Sequence, residues 1–531
     1  FEGFDMGGEE EQEPEEDVKV DEPVEQKGYL HVMGEWLGLF GKIGEPWGME
    51  QFSTEMLATW HGGADMLLRC VQYLLADEAA YVPSSTGAAW EKVECFGKIP
   101  GHVSRTLMAD LEGKGFPHLY VASDAGDRLY KWNEKDWKAV DVTGTHKLSS
   151  KSKASVWSDF NADARLDLLS WDGSGLELHL QGKDSVFSES SPEIKGADLK
   201  DCTHMEVVDI GSKGAPGVVA LTGSGPVLLT GISEKAVSAA DVPFKKPEKK
   251  TGNQGGFLVA DFTGDAVPDI MQMFEQGSLF YKGEKPGSFA EGRWLECWMG
   301  PGGADSWTGD YDGDGRLDIM CANKGPLNLW HNYEGFRLEE KFYITGEPSY
   351  ISKALNCGGG TGDVNNDGRQ AFLVLYSKKA GLQPQIFFNR GFRSFGHSHQ
   401  LDLGERGLLP ESKQGQQAGG LLDINHDNAH DMVLVLEDGS LCAALREVME
   451  NPLCARVALP LKGLNAGPVT VTARLQHRSL GGWNVVAGTK EAFFGVIDPG
   501  PMTVKWQIPG GKPQERRVVI EQKAVRIVID K

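Results

Sequence analysis

Aspartate side chains recur at fixed intervals in one short stretch of the chain, Asp310-Tyr-Asp-Gly-Asp-Gly-Arg-Leu-Asp318. Counting Asp310 as position 1, carboxylates stand at positions 1, 3, 5 and 9, and Gly315 stands where a tight loop needs a positive φ. Carboxylates on so short a loop repel each other unless a cation lies among them. Oxygen ligands without softer donors favour calcium, so the stretch predicts a calcium-binding loop.

The opening of this stretch resembles an EF-hand loop, but the remainder does not. An EF-hand needs a bidentate Glu at position 12, where this chain has Cys321. The residues from Leu317 to Cys321 form an apolar run typical of a strand and not of an exiting helix. The pattern therefore predicts a calcium loop that joins two β-strands.

The same loop recurs along the chain. Its first aspartates are Asp110, Asp159, Asp209, Asp261, Asp310, Asp363 and Asp423. Their spacings of 49, 50, 52, 49, 53 and 60 residues define seven units, numbered here repeats one to seven. A short apolar run precedes each loop, and further apolar runs separated by turns follow it. Four short strands per unit predict an all-β fold, a seven-bladed β-propeller.

These repeats resemble the FG-GAP/VCBS family, in which calcium loops join the first two strands of a blade, as in integrin α-subunit propellers. The resemblance implies about three to five bound calcium ions. Repeats two, five and seven carry every side-chain ligand of the pattern, repeat four has a Thr at position 3, and repeat six has Ala371 at position 9. The candidate ligands are Asp159, Asn161, Asp163 and Asp167; Asp261, Thr263, Asp265 and Asp269; Asp310, Asp312, Asp314 and Asp318; Asp363, Asn365 and Asp367; and Asp423, Asn425, Asp427 and Asp431.

Repeats one and three have lost the ligand pattern. Repeat one has Asp110, Glu112, Lys114 and His118 at the four positions, and repeat three has Asp209, Gly211, Lys213 and Gly217. The lysine at position 5 of each loop offers a positive charge in place of the metal.

The remaining sequence divides into three parts. Residues 1–27 form an acidic, low-complexity arm, with 12 acidic residues and one Lys in the first 26. Residues 28–98 form an N-terminal extension with one amphipathic helix over Ala64–Ala80, and Ala89–Phe96 alternates like a strand that completes the ring. The propeller is predicted over 99–452, and residues 453–531 follow a different pattern.

The C-terminal part resembles the ASPIC/UnbV domain. Phe494-Gly495 and Trp506 match it, as do Pro509-Gly510, although Gln507 and Ile508 separate Trp from Pro. This part is predicted to form a small β-sandwich-like module. Tandem FG-GAP/VCBS repeats and such a module are similar to the cartilage acidic protein family, which implies an extracytoplasmic binding or adhesion role without established catalysis.

Charge and cysteine content narrow the alternatives further. A net charge of −23 argues against nucleic acid as a partner. The predicted helix is too short and too charged to span a bilayer, whereas peripheral association with a membrane stays open. The eight cysteines form no C-x-x-C pair. For Cys442 and Cys454, a disulfide and two buried thiols are equally compatible with the sequence.

Three functions follow from these observations, and no catalytic motif favours an enzyme. The first is a non-catalytic, calcium-binding protein for adhesion, ligand capture or scaffolding that is secreted, periplasmic or in an organelle lumen, because calcium is abundant there. The second is an accessory subunit of a larger membrane-associated complex, for example in the thylakoid lumen, which binds its protein partners through residues 1–98. The third is an enzyme acting on polysaccharide or lipid.

Overall fold

A computed structural model describes most of the chain beyond the N-terminal extension. The described residues are 90–136, 138–211, 216–245, 247–248, 250–324, 327–340, 356–377, 384–389, 395–397, 415–446, 452–461, 467–476, 478–497, 499–521 and 523–529. The acidic arm and the predicted helix Ala64–Ala80 lie outside them. No helix in the described part is long and apolar enough to cross a membrane.

The regular secondary structure of the described residues is almost entirely β-strand, with one helical turn, α1 (Thr143–His146). The first strands are β1 (Trp90–Lys98), β2 (Val103–Ala109), β3 (His118–Ser123), β4 (Arg128–Asn133), β5 (Lys138–Asp141), β6 (Ala154–Ser158), β7 (Asp167–Trp171), β8 (Leu176–Gln181) and β9 (Phe187–Ser190). Repeats three and four contain β10 (Glu193–Gly196), β11 (His204–Val208), β12 (Gly217–Thr222), β13 (Gly225–Thr230), β14 (Ala236–Asp241), β15 (Gln254–Ala260), β16 (Asp269–Phe274), β17 (Gly277–Tyr281), β18 (Gly283–Lys285), β19 (Ser288–Phe289) and β20 (Arg293–Leu295).

The later repeats and the C-terminal part supply the other strands. Repeats five to seven contain β21 (Asp305–Gly309), β22 (Asp318–Ala322), β23 (Asn328–Tyr333), β24 (Arg337–Glu340), β25 (Asn356–Gly362), β26 (Ala371–Tyr376), β27 (Gln385–Asn389), β28 (Phe395–His397), β29 (Gln416–Leu422), β30 (Asp431–Leu436) and β31 (Ser440–Arg446). The C-terminal part contains β32 (Cys454–Ala458), β33 (Val469–Leu475), β34 (Arg478–Val485), β35 (Ala492–Gly495), β36 (Gly500–Trp506), β37 (Gln514–Ile520) and β38 (Val525–Val528).

Each repeat forms one sheet in which its main strands follow one another antiparallel. The second strands lie between two neighbours and are buried on both faces, which is why β26 reads as the uninterrupted apolar run Ala371–Tyr376. In every repeat with an aspartate at position 9, that residue pairs across the hairpin with the residue before position 1, as Asp318 does with Gly309. The predicted metal loop is thus the turn between the first and second strands.

The seven sheets are joined in a circle by shared hydrophobic cores. Each of seven buried clusters combines side chains from two consecutive sheets, and one of them joins the seventh sheet to the first through residues such as Val433 and Val121. The first strands of the seven sheets line a central cavity of about 1220 Å³. The predicted all-β, propeller-like fold is confirmed, and we interpret the seven sheets of the described part as seven blades.

Strand β1 closes the circle. It pairs antiparallel with β31, so the sheet of repeat seven combines three strands from the end of the ring with one from its beginning. A disulfide between Cys95 and Cys442 links the same two strands across 347 residues of sequence. The predicted strand near residue 89 is therefore present, and the last nine residues of the predicted N-terminal extension belong to the ring.

The structure shows neither of the two alternatives for Cys442 and Cys454, a disulfide between them or two buried thiols. Cys442 bonds to Cys95, and Cys454 is a buried thiol outside any disulfide. A Cys442–Cys454 bridge is therefore excluded, because Cys442 already has its partner on the neighbouring strand.

The C-terminal part consists of two sheets around one core. One sheet has the order β35-β32-β38 and the other β34-β33-β36-β37. Both contribute to a single buried cluster that includes Phe494, Val471 and Val504. This arrangement is a compact two-sheet module, which we call the C-terminal module.

We predict that Cys95→Ser lowers the melting temperature under oxidising conditions. The disulfide closes a long loop, and loss of such a constraint costs on the order of 2 to 5 kcal/mol. Thermal unfolding without reductant measures the effect, and the double variant Cys95→Ser, Cys442→Ser serves as the control. Because both cysteines serve one bond, the double variant should unfold close to the single variant. Equal melting temperatures of wild type and Cys95→Ser would contradict a stabilising role of the Cys95–Cys442 disulfide.

Candidate metal-binding loops

In the six repeats other than repeat three, the aspartate at position 1 holds the hairpin together through backbone hydrogen bonds. In repeat five, Asp310 Oδ1 accepts the N–H of Asp314 at 3.1 Å and Oδ2 accepts that of Gly315 at 2.7 Å. The same two bonds, from positions 5 and 6, occur at Asp110, Asp159, Asp261, Asp363 and Asp423. Repeat one keeps them although it has lost the metal pattern. The position-1 carboxylate therefore has a structural role that needs no metal.

The aspartate at position 9 ties the loop to the third strand. In repeat two, Asp167 Oδ2 accepts the N–H of Phe160 at 3.0 Å and Oδ1 accepts that of Gln181 at 2.9 Å. Equivalent pairs of bonds occur at Asp269, Asp318 and Asp431. All four side chains are fully buried. Their oxygens point to backbone N–H groups on both sides of the hairpin, a role that the carboxylate pattern alone does not distinguish from metal binding.

Repeat five places three carboxylates together as predicted. Ligand oxygens of Asp310, Asp312 and Asp314 lie within 4.8 Å of one another. The fourth predicted ligand, Asp318, does not belong to this group and falls in a second group with Asp312 and His331. The oxygen-only group has the donor set that calcium prefers.

In the other repeats with predicted ligands, which are repeats two, four, six and seven, the residue at position 3 is not a carboxylate. Asn161, Asn365 and Asn425 donate an amide N–H to the aspartate at position 5, at 2.9, 3.2 and 2.8 Å. In repeat four, the buried Thr263 hydroxyl has no hydrogen-bond partner among the described residues. Buried polar atoms are normally paired, so an unsatisfied buried hydroxyl inside a predicted ligand set is available to bind a cation.

Cationic side chains approach position 5 in four repeats. Arg165 pairs with Asp163, Arg316 with Asp314, Arg369 with Asp367, and Lys282 with Asp265. Three of these are arginines at position 7 of their loops, a regularity that is visible in the sequence and that the ligand pattern overlooks. They neutralise part of the loop charge without reaching the carboxylates at positions 1 and 9.

Burial makes the loop carboxylates hard to ionise. Desolvation raises the pKa of Asp167 and of Asp269 to about 7, with the neighbouring loop carboxylates adding to the effect. Burial likewise raises the pKa of Asp363 and of Asp423 to about 7. The pKa of Asp310 lies well above the usual value because burial acts together with Asp314 and Asp318. A divalent cation would relieve this cost by favouring the ionised carboxylates.

In repeat one, charge pairing is built into the loop. The Lys114 amine lies 3.0 Å from Glu112 Oε2, and Lys131 approaches the same carboxylate at 2.9 Å. These two bonds hold the pKa of Glu112 at about 2. Lys114 thus supplies a positive charge at position 5, while the corresponding Lys213 of repeat three lies outside the described residues.

Among the described residues, the C-terminal module contacts the position-1 aspartates of four loops. The Gly482 N–H donates to Asp310 Oδ2 at 2.7 Å, and the Gly495 N–H donates to Asp363 Oδ2 at 2.9 Å. Guanidinium groups reach the other two: Arg526 lies 3.6 Å from Asp110, and Arg456 lies 3.8 Å from Asp423.

The composition of the module matches its position on the loops. Residues 453–531 contain 12 Lys or Arg against 5 Asp or Glu, in a chain that is strongly acidic overall. A basic module therefore lies on an acidic face of the ring, where opposite charges attract.

The glycine at the end of β35, Gly495, has a steric reason to lack a side chain. A Cβ on Gly495 would lie 2.2 Å from Asp363 Oδ2 and 2.4 Å from the backbone of Asn366. Only a residue without a side chain allows the module backbone to donate to the position-1 carboxylate at this distance. The sequence resemblance identified this glycine without its role.

Comparison with known proteins supports one repeat directly. An FG-GAP-like repeat profile matches residues 310–374, so an FG-GAP-like repeat is present, with the three-carboxylate loop at its start. No curated protein sequence matches the chain significantly.

Three solved structures align with much of the chain at low sequence identity. An Agrocybe aegerita lectin that recognises non-reducing terminal N-acetylglucosamine is 15% identical, with a TM-score of 0.43, and the match covers 59% of this chain and 84% of the lectin. BBS1N, in a complex with ARL6DN, is 12% identical, with a TM-score of 0.43, and the match covers 68% of this chain and 97% of BBS1N. The extracellular domain of BT3049 from B. thetaiotaomicron is 9% identical, with a TM-score of 0.41, and the match covers 84% and 58%. The ring is defined by its hydrogen-bonded sheets and by the hydrophobic cores that join consecutive sheets.

We predict that Gly495→Ala destabilises the protein by about 2 kcal/mol or more, because the new methyl group collides with backbone and breaks the bond to Asp363. Urea unfolding measures the change. Gly144→Ala is the matched control, because a Cβ there meets no atom within 4 Å. The control should stay within about 0.5 kcal/mol of wild type. Equal stability of both variants would contradict the tight approach of the module.

Proposed function

We propose that this protein is a non-catalytic, calcium-stabilised propeller that binds protein partners outside the cytosol. The observation that carries the proposal is the loop of repeat five, where three carboxylates lie within 4.8 Å of one another on a hairpin of an otherwise closed ring. The unsatisfied Thr263 hydroxyl in the loop of repeat four supports the same interpretation. A chain built around such loops needs calcium at the concentrations found outside the cytosol.

The residues that would hold calcium differ in strength between repeats. Asp310, Asp312 and Asp314 form the best oxygen set, and Asp423 and Asp427 with Asn425 form a weaker one. When bound, calcium supplies positive charge that favours the ionised carboxylates. The chain itself contributes the backbone N–H groups that fix positions 1 and 9, so the hairpins are preorganised for the ion.

The face opposite the C-terminal module is the better candidate for partner binding. Antiparallel pairing places the turns after the first strands on one face and the connections from each fourth strand to the next first strand on the other. The module covers the first face. The connections on the second face carry two exposed aromatic side chains, Phe244 at 36% and Trp298 at 38% exposure. Exposed aromatic side chains are typical of interaction surfaces.

The second candidate function is an accessory subunit of a membrane-associated complex, in an organelle lumen such as the thylakoid. The acidic, aromatic-rich sequence before the ring favours it. Since β1 belongs to the ring, the segment available for such contacts ends at residue 89. The third hypothesis, a polysaccharide- or lipid-active enzyme, has no observation in its favour here.

We predict that excess EGTA lowers the melting temperature by about 5 °C or more, since a ligand bound only by the folded state stabilises it. Asp314→Asn should reproduce part of this loss in the presence of calcium. The matched control is Glu234→Gln, which removes an exposed acid outside the loops and should melt like wild type. A melt that EGTA leaves unchanged would contradict calcium stabilisation.

We predict that calcium affinity increases as the pH rises from about 5.5 to 7.5. The folded, metal-free carboxyls at Asp167 and Asp269 have pKa values of about 7, above the ordinary value near 4. Below that pH, protons compete with calcium, and binding must release them. Isothermal titration at several pH values measures the affinity and the released protons. An affinity independent of pH across this range would contradict the link.

We predict that deletion of residues 1–89 separates the two leading functions. If the protein is an accessory subunit, the deletion removes co-purification with its complex and leaves the melting temperature close to wild type. Trp298→Ala tests the alternative, binding through the ring face, in the same co-purification assay. Deletion of residues 1–98 is the contrast, because it also removes β1 and Cys95 and should destabilise the ring. Co-purification that survives both changes would contradict both binding surfaces.

A further inference from the structure

A buried histidine distinguishes repeat five from the other repeats. His331 lies in β23, directly before Asn332, whose N–H binds Asp318 Oδ1. At the same place in the third strand, repeats two, four and seven have Leu180, Lys282 and Leu445, before Gln181, Gly283 and Arg446. Among the described repeats with a position-9 aspartate, repeat five alone has an imidazole beside that carboxylate.

The imidazole nitrogen faces two carboxylates. His331 Nδ1 lies 2.8 Å from Asp318 Oδ1 and 3.3 Å from Asp312 Oδ2. The side chains of His331 and Asp318 are fully buried, and that of Asp312 is 4% exposed. The ring packs edge-on against Tyr333, with the centroids 4.2 Å apart. Packing and burial therefore fix the nitrogen where two oxygens converge.

These three residues form a second group beside the oxygen-only group of the same loop. Ligand atoms of Asp312, Asp318 and His331 lie within 4.8 Å of one another, and Asp312 belongs to both groups. The two groups differ in chemistry. Calcium takes oxygen ligands, whereas zinc, manganese, cobalt and nickel accept imidazole nitrogen together with carboxylate oxygen.

We propose that His331, Asp312 and Asp318 bind a divalent transition-metal ion, with Asp312 shared between this ion and the hard cation of the loop. The inference rests on the metal-binding role proposed for the loops and narrows it to one loop and a different class of ion. Binding replaces the Nδ1 hydrogen bond by a metal–nitrogen bond, and any proton on Nδ1 is released to solvent.

The competing interpretation of the same geometry is an ion pair without metal. A protonated imidazolium between two carboxylates would neutralise the loop in the way that Lys114 does in repeat one. That arrangement binds no transition metal and loses its stabilisation as the pH rises through the titration of the imidazole.

The test is titration of the chelator-treated full chain with Co²⁺, read by visible ligand-field absorbance. We expect one cobalt ion per chain with a spectrum that includes nitrogen coordination. His331→Gln should weaken the affinity by about tenfold or more, since even the outer partners of metal ligands are worth 10 to 100-fold. His179→Gln is the matched control, because His179 is also fully buried in a third strand, that of repeat two, and lies outside the loop.

The outcome can be separated from that of the calcium proposal. Asp314→Asn should keep cobalt binding and lose part of the stabilisation by calcium, and His331→Gln should do the reverse. Cobalt binding with an unchanged melt in EGTA would support this site and contradict the calcium proposal.

Three results would overturn the proposed site. The first is a wild-type chain that gives no cobalt spectrum, and the second is a folded His331→Gln variant that binds cobalt as tightly as wild type does. The third is a wild-type melting temperature that responds to pH through the histidine range but not to transition metal. The wild-type stoichiometry and spectrum decide the matter even if His331→Gln does not fold.

Discussion

The carboxylate at position 1 of each loop is the interaction on which the rest of the structure depends. In the six repeats whose loops are fully described, it accepts at least two backbone N–H groups of its own hairpin and thereby fixes the turn between the first and second strands. Charge-assisted hydrogen bonds to backbone are strong, but burying the charge is costly, and the raised pKa values of Asp363 and Asp423 express that cost. In these loops, the ionised aspartate is needed to hold the turn, and its burial raises the free energy of the ionised form.

The chain offsets this cost by several means, and repeat five combines most of them. Asp310 Oδ2 accepts the N–H of Gly482 from the C-terminal module in addition to the hydrogen bonds within its own hairpin. Arg316 pairs with Asp314, and His331 lies between Asp312 and Asp318. In repeat one, Lys114 and Lys131 pair with Glu112, and Arg526 approaches Asp110. Bound calcium, the position-7 arginines and the basic module would each offset the repulsion between the buried loop carboxylates. The basic module also lies on the face of the ring where these carboxylates are concentrated.

Much of the fold could be predicted from the sequence because its signals are local. The recurrence of the aspartate loop at intervals of about fifty residues defined the repeats, and apolar runs on both sides defined the strands. The alternation before Phe96 located the strand that closes the ring. The pairing of Cys95 with Cys442 could not be predicted, because 347 residues separate them and only the closed circle brings them together.

The site was harder to predict than the fold for a physical reason. A carboxylate that binds metal and one that accepts backbone N–H look the same in a sequence, so the ligand pattern assigned Asp318 to the oxygen group from which the structure separates it. Two contacts from the module are made by the backbone N–H groups of Gly482 and Gly495, which leave no side-chain signature. The position-7 arginines can be read from the sequence, but their pairing with the position-5 aspartate becomes evident only from the folded loop.

The metal content of the natively purified full chain, measured by inductively coupled plasma mass spectrometry, tests the central claim most directly. The account predicts about three to five calcium ions per chain, together with about one transition-metal ion that His331→Gln removes. Protein that is folded and free of divalent metal would contradict it, because the buried loop carboxylates would then be balanced by protons and protein cations alone.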